Sequence, residues 1–200
     1  MAHAAPAVRS PAEPAAVDKH YITAESLLED SFHLGMQILD SGFRPTFIVG
    51  VWRGGSPVGI AVQELLDFFG VETDHIAIRT SFYRSIAQKH EKVRVHGMQY
   101  IIDNVNADQG LLIVDDVFDT GLSIDAVISH LRRKARRNTP DDTRIATIYY
   151  KPDSNRTGRE PDFYIHKTES WLVFPHELHG LSREEILHHK RGITAFADRI

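Results

Sequence analysis

The chain has 200 residues, of which 42% are hydrophobic and 25% are charged, and this composition is typical of a globular protein of one domain. Its 23 Lys and Arg against 27 Asp and Glu give a net charge of −4, which argues against a dedicated nucleic-acid-binding protein, because such proteins are usually strongly basic. The absence of cysteine excludes a disulfide framework, a thiol nucleophile and a thiolate zinc site.

The N-terminal segment, residues 1–20, is predicted to be a flexible arm, because proline repeatedly interrupts its alanines and it offers little to bury. It lacks the continuous apolar stretch of a secretory signal, and no run elsewhere is long enough to span a bilayer. We therefore expect a soluble cytoplasmic protein, with no membrane partner, in which residues 21–200 form one domain.

Helices and strands alternate after this arm. Helical spacing of apolar residues predicts helices, and short β-branched apolar runs predict strands that are buried on both faces. The first predicted elements are a helix that Thr23 caps and Gly42 ends, a strand over 46–51, a helix over 57–69, a strand over 75–80, a polar stretch over 81–92 and extended structure over 93–102. They are followed by a strand over 111–114, a helix that carries Ile124 to Leu131, a strand over 144–150, short strands and loops over 161–178, and a helix over 183–190 with a capping box of Ser182 and Glu185. The alternation favours a parallel α/β sheet, in which ligands bind at the carboxyl ends of the strands.

The most informative segment is LLIVDDVFDTGLS, residues 111–123, in which a buried strand leads into the acid pair Asp115-Asp116. The turn Asp119-Thr120-Gly121 then opens a helix that has Ser123 in its first turn. Unpaired N–H groups and the positive end of the helix dipole make such a turn a binding site for anions. The acids beside a bound phosphate need hydroxyl groups or a metal ion as partners, so a sugar phosphate with Mg²⁺ fits both demands.

Three other interpretations account for parts of this segment. The acid pair alone fits a solvated strand end, and the Asp-Thr-Gly turn alone fits an ordinary turn. The run LLIVDD also resembles the start of a response-regulator receiver, with Lys151-Pro152 as a later match, but too little chain follows the acids for a receiver domain. None of the three explains the whole string.

The string VDDVFDTGLS closely resembles the phosphoribosyl-diphosphate signature of the type I phosphoribosyltransferases, and the resemblance extends over roughly residues 21–178. It implies the fold of that family: a mostly parallel, twisted sheet flanked by helices, with a small hood from the terminal segments. It also implies that Asp119 is the catalytic acid/base at purine N7. The phosphoribosyl-diphosphate-binding residues that it implies in this segment are Asp115, Asp116, Asp119, Thr120, Gly121, Leu122 and Ser123.

The segment VWRGGS resembles the diphosphate-binding loop of the same family. The resemblance implies that the backbone N–H groups of Arg53, Gly54 and Gly55 hold the diphosphate, and that the peptide bond between Trp52 and Arg53 is cis. The alternative is a strand-to-helix turn that needs glycine for its backbone angles.

The polar stretch over 81–92 resembles the flexible catalytic loop of the family, with Ser81, Phe82 and Tyr83 where the purine enzymes usually carry Ser-Tyr. Such a loop closes over the site and excludes water. An ordinary mobile surface loop is the alternative.

The base-binding residues are implied by the 6-oxopurine branch of the family. Lys151, at the end of a strand, would donate to the purine O6 atom, Trp171 would stack on the base, and the backbone of Leu172 and Val173 would read its edge. Glu177 would join Asp115 and Asp116 as a ligand of Mg²⁺. The alternative for Trp171 is a buried core aromatic.

Two functions follow from this resemblance. The first is a purine salvage enzyme that transfers the phosphoribosyl group from phosphoribosyl diphosphate to hypoxanthine, guanine or xanthine; the apolar run Leu172–Phe174 favours hypoxanthine. The second is a regulatory protein of the same fold that senses a nucleotide or phosphoribosyl diphosphate and controls RNA or a protein partner. Family members commonly pair as dimers or tetramers, so we expect a homo-oligomer.

Two further patterns are interpreted as surface features. The basic run over 131–137 lies at a helix end, where it complements the helix dipole, although RNA binding is an alternative. The histidines of His176-Glu-Leu-His179 and His188-His189 lack a third convergent ligand, which argues against a zinc site.

Overall fold

The computed structural model describes residues 19–84 and 91–199. The strands in that part of the chain are β1 (Lys19–Tyr21), β2 (Phe47–Trp52), β3 (Asp74–Arg84), β4 (Glu91–His96), β5 (Gly110–Phe118), β6 (Asp142–Tyr150), β7 (Phe163–Lys167) and β8 (Trp171–Val173). The α-helices are α1 (Ala24–Asp40), α2 (Gly55–Phe68), α3 (Gln99–Asn104), α4 (Leu122–Ala135) and α5 (Arg183–His189), and short 3₁₀ segments cover Arg136–Asn138 and Arg191–Arg199.

The central sheet has six strands in the order β4-β3-β2-β5-β6-β7. All neighbouring strands run parallel except β4, which pairs antiparallel with β3 at one edge. Parallel strands place their carboxyl ends on one side of the sheet, so the segments that follow β2, β5 and β6 meet there. The predicted mostly parallel α/β fold is confirmed.

Strand β5 explains why the sheet is covered on both faces. Leu112 and Val114 pack with α1 and α2 in one apolar cluster, whereas Leu111 and Ile113 pack with α3 and α4 in the other. All four side chains are fully buried. Because side chains alternate across a strand, a continuous apolar run buries both of its faces, which is the pattern of a central parallel strand.

The terminal segments form the predicted hood, which consists of β1, β8 and α5. Strand β1 pairs in parallel with β8, so that Lys19, His20 and Tyr21 lie opposite Trp171, Leu172 and Val173. Helix α5 is tied to β1, because Lys19 Nζ and Tyr21 Oη donate to Glu185 Oε1 at 2.6 and 2.7 Å. The Tyr21 ring also stacks on His189 with ring centres 3.6 Å apart.

Both predicted helix caps are confirmed. The Thr23 hydroxyl accepts from the Ser26 N–H at 3.0 Å, and Ser182 forms a reciprocal capping box with Glu185. No helix within the described ranges is long and apolar enough to cross a membrane.

Four boundaries differ from the prediction. Residues 81–84 continue β3 because they pair with β4, and residues 99–102 belong to helix α3 instead of an extended segment. Strand β5 continues through the acid pair to Phe118, because it remains paired with β6 that far. Lys19 and His20, predicted to belong to the arm, lie in strand β1, which pairs with β8; residues 1–18 of the predicted arm lie outside the described residues.

Candidate active site

The loop over 52–55, called the diphosphate loop after its predicted ligand, packs directly on the acid-bearing end of β5. A Cβ atom on Gly54 would lie 1.8 Å from Asp116 Oδ2, and one on Gly55 would lie 2.2 Å from the carbonyl oxygen of Val114. Glycine is therefore required at both positions for the loop to approach the strand. The peptide bond between Trp52 and Arg53 is cis, as the family resemblance implied.

Asp115 and Asp116 are held differently although they are adjacent. The Asp115 carboxylate accepts from the backbone N–H groups of Asp116, at 3.0 Å, and of Gly55. Asp116 is 8% exposed, and its Oδ2 lies 3.6 Å from His176 Nε2. The acid pair thus connects the diphosphate loop to the segment that follows β8.

The carboxylates of Asp115, Asp116 and Glu177 lie close enough for their negative charges to interact. Burial and then the charge of Asp116 raise the pKa of Asp115, while burial and then the charge of Glu177 raise the pKa of Asp116. Glu177 is positioned by its own turn, since its Oε2 accepts from the Phe174 N–H at 3.1 Å. Like charges that are partly buried together favour a bound cation.

The donor set fits Mg²⁺ when part of its shell comes from a ligand. Asp115, Asp116 and Glu177 offer carboxylate oxygens, the donors that Mg²⁺ prefers. No three His, Cys, Asp or Glu side chains in residues 19–84 and 91–199 converge on one closed metal site. Mg²⁺ is commonly held by one or two carboxylates together with substrate oxygens, so these residues fit the ion as a partner of a bound diphosphate.

The turn over 119–123, called the phosphate turn after its predicted ligand, follows β5. Gly121 has a φ of +74°, and a Cβ there would lie 2.7 Å from the Phe118 ring and from Thr157 Oγ1. Helix α4 begins at Leu122, and its N-cap residue, Gly121, has no side chain; the Leu122 N–H donates to Thr120 Oγ1 at 3.5 Å. The N-terminal end of the helix therefore faces the turn. A cavity of about 300 Å³ lies against this turn, and the residues that line it include Phe82, Asp115, Asp119, Thr120, Gly121 and Ser123.

A second cavity, of about 310 Å³, lies between the same turn and the hood. Lys151 Nζ reaches within 3.7 Å of Asp119 Oδ2 at its wall. Trp171 also lines it and is 59% exposed, so the interpretation of this tryptophan as a buried core residue is wrong. The structure therefore brings the predicted base-binding residues together in one pocket.

The direction of the β8 backbone separates the two predicted edge-reading residues. The Val173 carbonyl accepts from the Ile22 N–H at 3.0 Å, so the backbone of Val173 faces β1. Backbone groups alternate in direction along a strand, so those of Leu172 face away from β1. Leu172 is thus the better placed of the two to read a base.

Ser81, Phe82 and Tyr83 lie in strand β3 and not in a loop, because they pair with Arg94, Val93 and Lys92 of β4. Phe82 is exposed and lines the cavity at the phosphate turn. The tip of the predicted catalytic loop, residues 85–90, lies outside the described residues.

Sequence reasoning missed the loop after β6. The Arg156 N–H donates to the Thr120 carbonyl at 3.0 Å, and Arg159 Nε donates to Asp125 Oδ1 at 2.9 Å. These contacts hold the phosphate turn and the first turn of α4 against the loop after β6. The loop has no motif or periodicity, so only its two arginines hinted at anionic neighbours. His179, interpreted above as a surface residue, is exposed but also lines the pocket with Trp171.

Residues 23–182 match the family described as the phosphoribosyl transferase domain. The fold is similar to that of a purine phosphoribosyltransferase from Pyrococcus horikoshii Ot3, with 27% identity, a TM-score of 0.65, and coverage of 82% of this chain and 97% of that chain. It is also similar to a Neisseria gonorrhoeae protein with bound ppGpp, at 16% identity and a TM-score of 0.69, covering 88% of this chain and 97% of that one. A third similar structure is the xanthine-guanine-hypoxanthine phosphoribosyltransferase of Helicobacter pylori, at 20% identity and a TM-score of 0.56, covering 78% and 92% of the two chains.

A search of curated protein sequences gave no match. The family match nevertheless spans most of the chain, and it includes both the diphosphate loop and the phosphate turn. The chain therefore belongs to the phosphoribosyl transferase domain family, that of the type I phosphoribosyltransferases.

Proposed function

We propose that the protein is a purine salvage enzyme that transfers the 5-phosphoribosyl group from phosphoribosyl diphosphate to a 6-oxopurine. The products are the nucleoside 5′-monophosphate and diphosphate, and hypoxanthine is the favoured base ahead of guanine and xanthine. The observation that carries this proposal is the pocket in which Asp119, Lys151 and the exposed Trp171 meet beside the phosphate turn. A sensor of phosphoribosyl diphosphate alone has no need of such a pocket.

The Lys151–Asp119 pair suits one edge of a 6-oxopurine. The O6 and N7 atoms lie next to each other on that edge, and the first needs a donor while the second exchanges a proton. An ammonium group 3.7 Å from a carboxylate offers both partners at neighbouring points. Asp119 then acts as the general acid/base at N7, which makes N9 the better nucleophile.

The phosphoribosyl side of the reaction uses the other two segments. The N–H groups at Arg53, Gly54 and Gly55 bind the leaving diphosphate, and the turn at 119–123 binds the 5′-phosphate. Asp115 and Asp116 accept hydrogen bonds from the hydroxyl groups of the ribose. The ribose ring carries developing positive charge as its bond to diphosphate breaks. Bound Mg²⁺ would neutralise charge on the leaving diphosphate.

The comparison with P. horikoshii supports the purine class, since that protein is a purine phosphoribosyltransferase and shares 27% of its aligned residues with this chain. Leu172, Val173 and Phe174 line the pocket and bring no polar side chain to it, which favours a base without a polar group at C2, namely hypoxanthine. We further propose that the protein acts in the cytoplasm as a homo-oligomer.

The direct test incubates the protein with MgCl₂ and phosphoribosyl diphosphate, and with hypoxanthine, guanine, xanthine or adenine in separate reactions. The expected result is formation of inosine monophosphate at the highest kcat/KM, followed over time by absorbance and confirmed by chromatography. Orotate serves as the control base that this pocket is not expected to accept. If no base yields a nucleotide while phosphoribosyl diphosphate still binds, the regulatory interpretation replaces the enzyme.

A further inference from the structure

The C-terminal helix places a buried lysine against the wall of the purine pocket. Lys190, which follows the last residue of α5, is 7% exposed, although lysine is almost never fully buried unless it is paired. Its Nζ donates to the Phe174 carbonyl oxygen at 2.5 Å. The reaction as described above does not use this ammonium group.

The carbonyl group that Lys190 contacts belongs to a turn with two functions. Phe174 directly follows β8, the strand that carries Trp171 and Leu172, and the same turn ends at Glu177. The Phe174 carbonyl accepts from the Glu177 N–H at 3.0 Å, and the Phe174 N–H donates to Glu177 Oε2 at 3.1 Å. One turn therefore connects the base-binding strand to the third acid of the site.

Charge also links Lys190 to this turn. Burial lowers the pKa of Lys190, and the negative charge of Glu177 opposes that change. The ammonium group is thus a neighbouring cation for an acid that otherwise faces Asp116, whose pKa is raised first by burial and then by Glu177. Lys190 thus places a positive charge near the acidic end of the turn.

We propose that Lys190 is a positioning residue, which fixes the β8 backbone and the Phe174–Glu177 turn in the place where a purine base is bound. The inference rests on the proposed function, because it assigns Lys190 to the base side of that site. Strand β8 is then held on two sides: by β1, through the Ile22 contact to Val173, and by Lys190 just after its end.

A purely structural lysine would stabilise the hood without favouring one substrate. A positioning lysine affects the base and leaves phosphoribosyl diphosphate almost unchanged. The diphosphate loop and the phosphate turn hold that substrate, and Glu177 keeps its own bond to the Phe174 N–H when Lys190 is replaced. The two roles therefore differ in how the two KM values respond. They also differ in whether arginine, which keeps the charge and the donors, restores base binding.

The test compares Lys190→Met, Lys190→Arg and the control Lys134→Met, which makes the same chemical change at an exposed lysine of α4. We expect Lys190→Met to raise the KM for the base about tenfold, the scale of one lost buried hydrogen bond to a charged group, while the KM for phosphoribosyl diphosphate changes less than about twofold. Lys190→Arg should recover most of the loss, and Lys134→Met should resemble the wild type. Trp52→Phe leaves Trp171 as the remaining one of the two tryptophans. In that background the fluorescence emission of Trp171 should shift in Lys190→Met but not in Lys190→Arg or Lys134→Met.

A folded Lys190→Met protein with an unchanged base KM, or with equal increases in both KM values, overturns the proposal. If Lys190→Met does not fold, Lys190→Gln, which is polar but one bond too short to reach Phe174, takes its place under the same criteria. Failure of the proposed function is a separate result, because it is measured on the wild type. If the wild type forms no nucleotide from any base, both the proposed enzyme function and this inference are contradicted.

Discussion

The backbone N–H of Lys151 donates to the Phe118 carbonyl oxygen at 2.9 Å, so the residue that follows β6 is tied to the residue that precedes Asp119. This bond continues the β5–β6 pairing, in which Phe118 lies opposite Tyr150. The Lys151 side chain then reaches Asp119 at 3.7 Å. A main-chain contact between neighbouring strands thus sets the separation of the two side chains that we assign to one purine edge.

The first prediction concerns Asp119. Asp119→Asn removes the group that exchanges a proton at N7 and also the negative partner of Lys151. We expect kcat to fall about 100-fold or more, the usual scale of general acid–base catalysis, while thermal stability changes little because Asp119 is half-exposed. Steady-state kinetics and thermal melts check both statements. Asp108→Asn, at an exposed position away from the pocket, is the matched control, and near-wild-type turnover in Asp119→Asn would exclude the assigned role.

The second prediction concerns Trp171. Removal of its ring in Trp171→Ala should weaken binding of the base or the nucleotide by about tenfold or more, since stacking of a base on an aromatic side chain contributes about 1–3 kcal/mol. Binding of phosphoribosyl diphosphate should remain within about twofold. Trp171→Phe keeps an aromatic surface and should retain most of the affinity. Calorimetric titration of each ligand separates these outcomes, and equal losses for both ligands would contradict the stacking role.

The sequence was sufficient to predict the central sheet and the carboxyl-end site because both depend on local patterns. The short apolar run Leu111–Val114 predicts a strand buried on both faces, and the acids and the Asp-Thr-Gly turn follow it directly. The capping box of Ser182 and Glu185 likewise depends on residues close in sequence.

The missed features depend on contacts between distant segments. Strand β1 has only three residues, and it is a strand because β8 lies beside it. Lys190 carries no local signal, since its burial results from the Phe174 carbonyl that approaches it across the hood. The loop after β6 is ordered by its contacts to Thr120 and Asp125, which no periodicity within the loop could reveal.

The third prediction concerns Gly54. A methyl group at this position would lie 1.8 Å from Asp116 Oδ2, so Gly54→Ala must move the diphosphate loop away from β5. We expect the KM for phosphoribosyl diphosphate to rise about tenfold or more, in line with the 1–3 kcal/mol typical of overpacking. Gly59→Ala, in the helix α2 that follows the loop, is the control, because its methyl group would meet neighbours at ordinary distances, from 3.8 Å. Equal kinetics in the two variants would show that the close approach of Gly54 to Asp116 is not needed.

The fourth prediction concerns the pH dependence of the hood. Hydrogen bonds from Lys19, from the Ser182 N–H and from Tyr21 lower the pKa of Glu185 from 4.5 to about 2. A group whose pKa is lowered on folding stabilises the protein above its unfolded pKa, and that contribution disappears as the pH falls through the folded pKa. The difference in melting temperature between the wild type and Glu185→Gln should therefore be constant above about pH 5 and shrink between about pH 4.5 and pH 2.

Glu184→Gln is the control for this measurement, because it removes the same charge from the same first turn of α5 at an exposed position. Both substitutions weaken the favourable interaction of an acid with the helix N-terminus, so that effect cancels in the comparison. What remains is the contribution of the bonds from Lys19 and Tyr21, which join α5 to β1, together with the capping-box bond from the Ser182 N–H. If the melting temperatures of the two variants follow the same curve over this pH range, Glu185 does not hold the hood together.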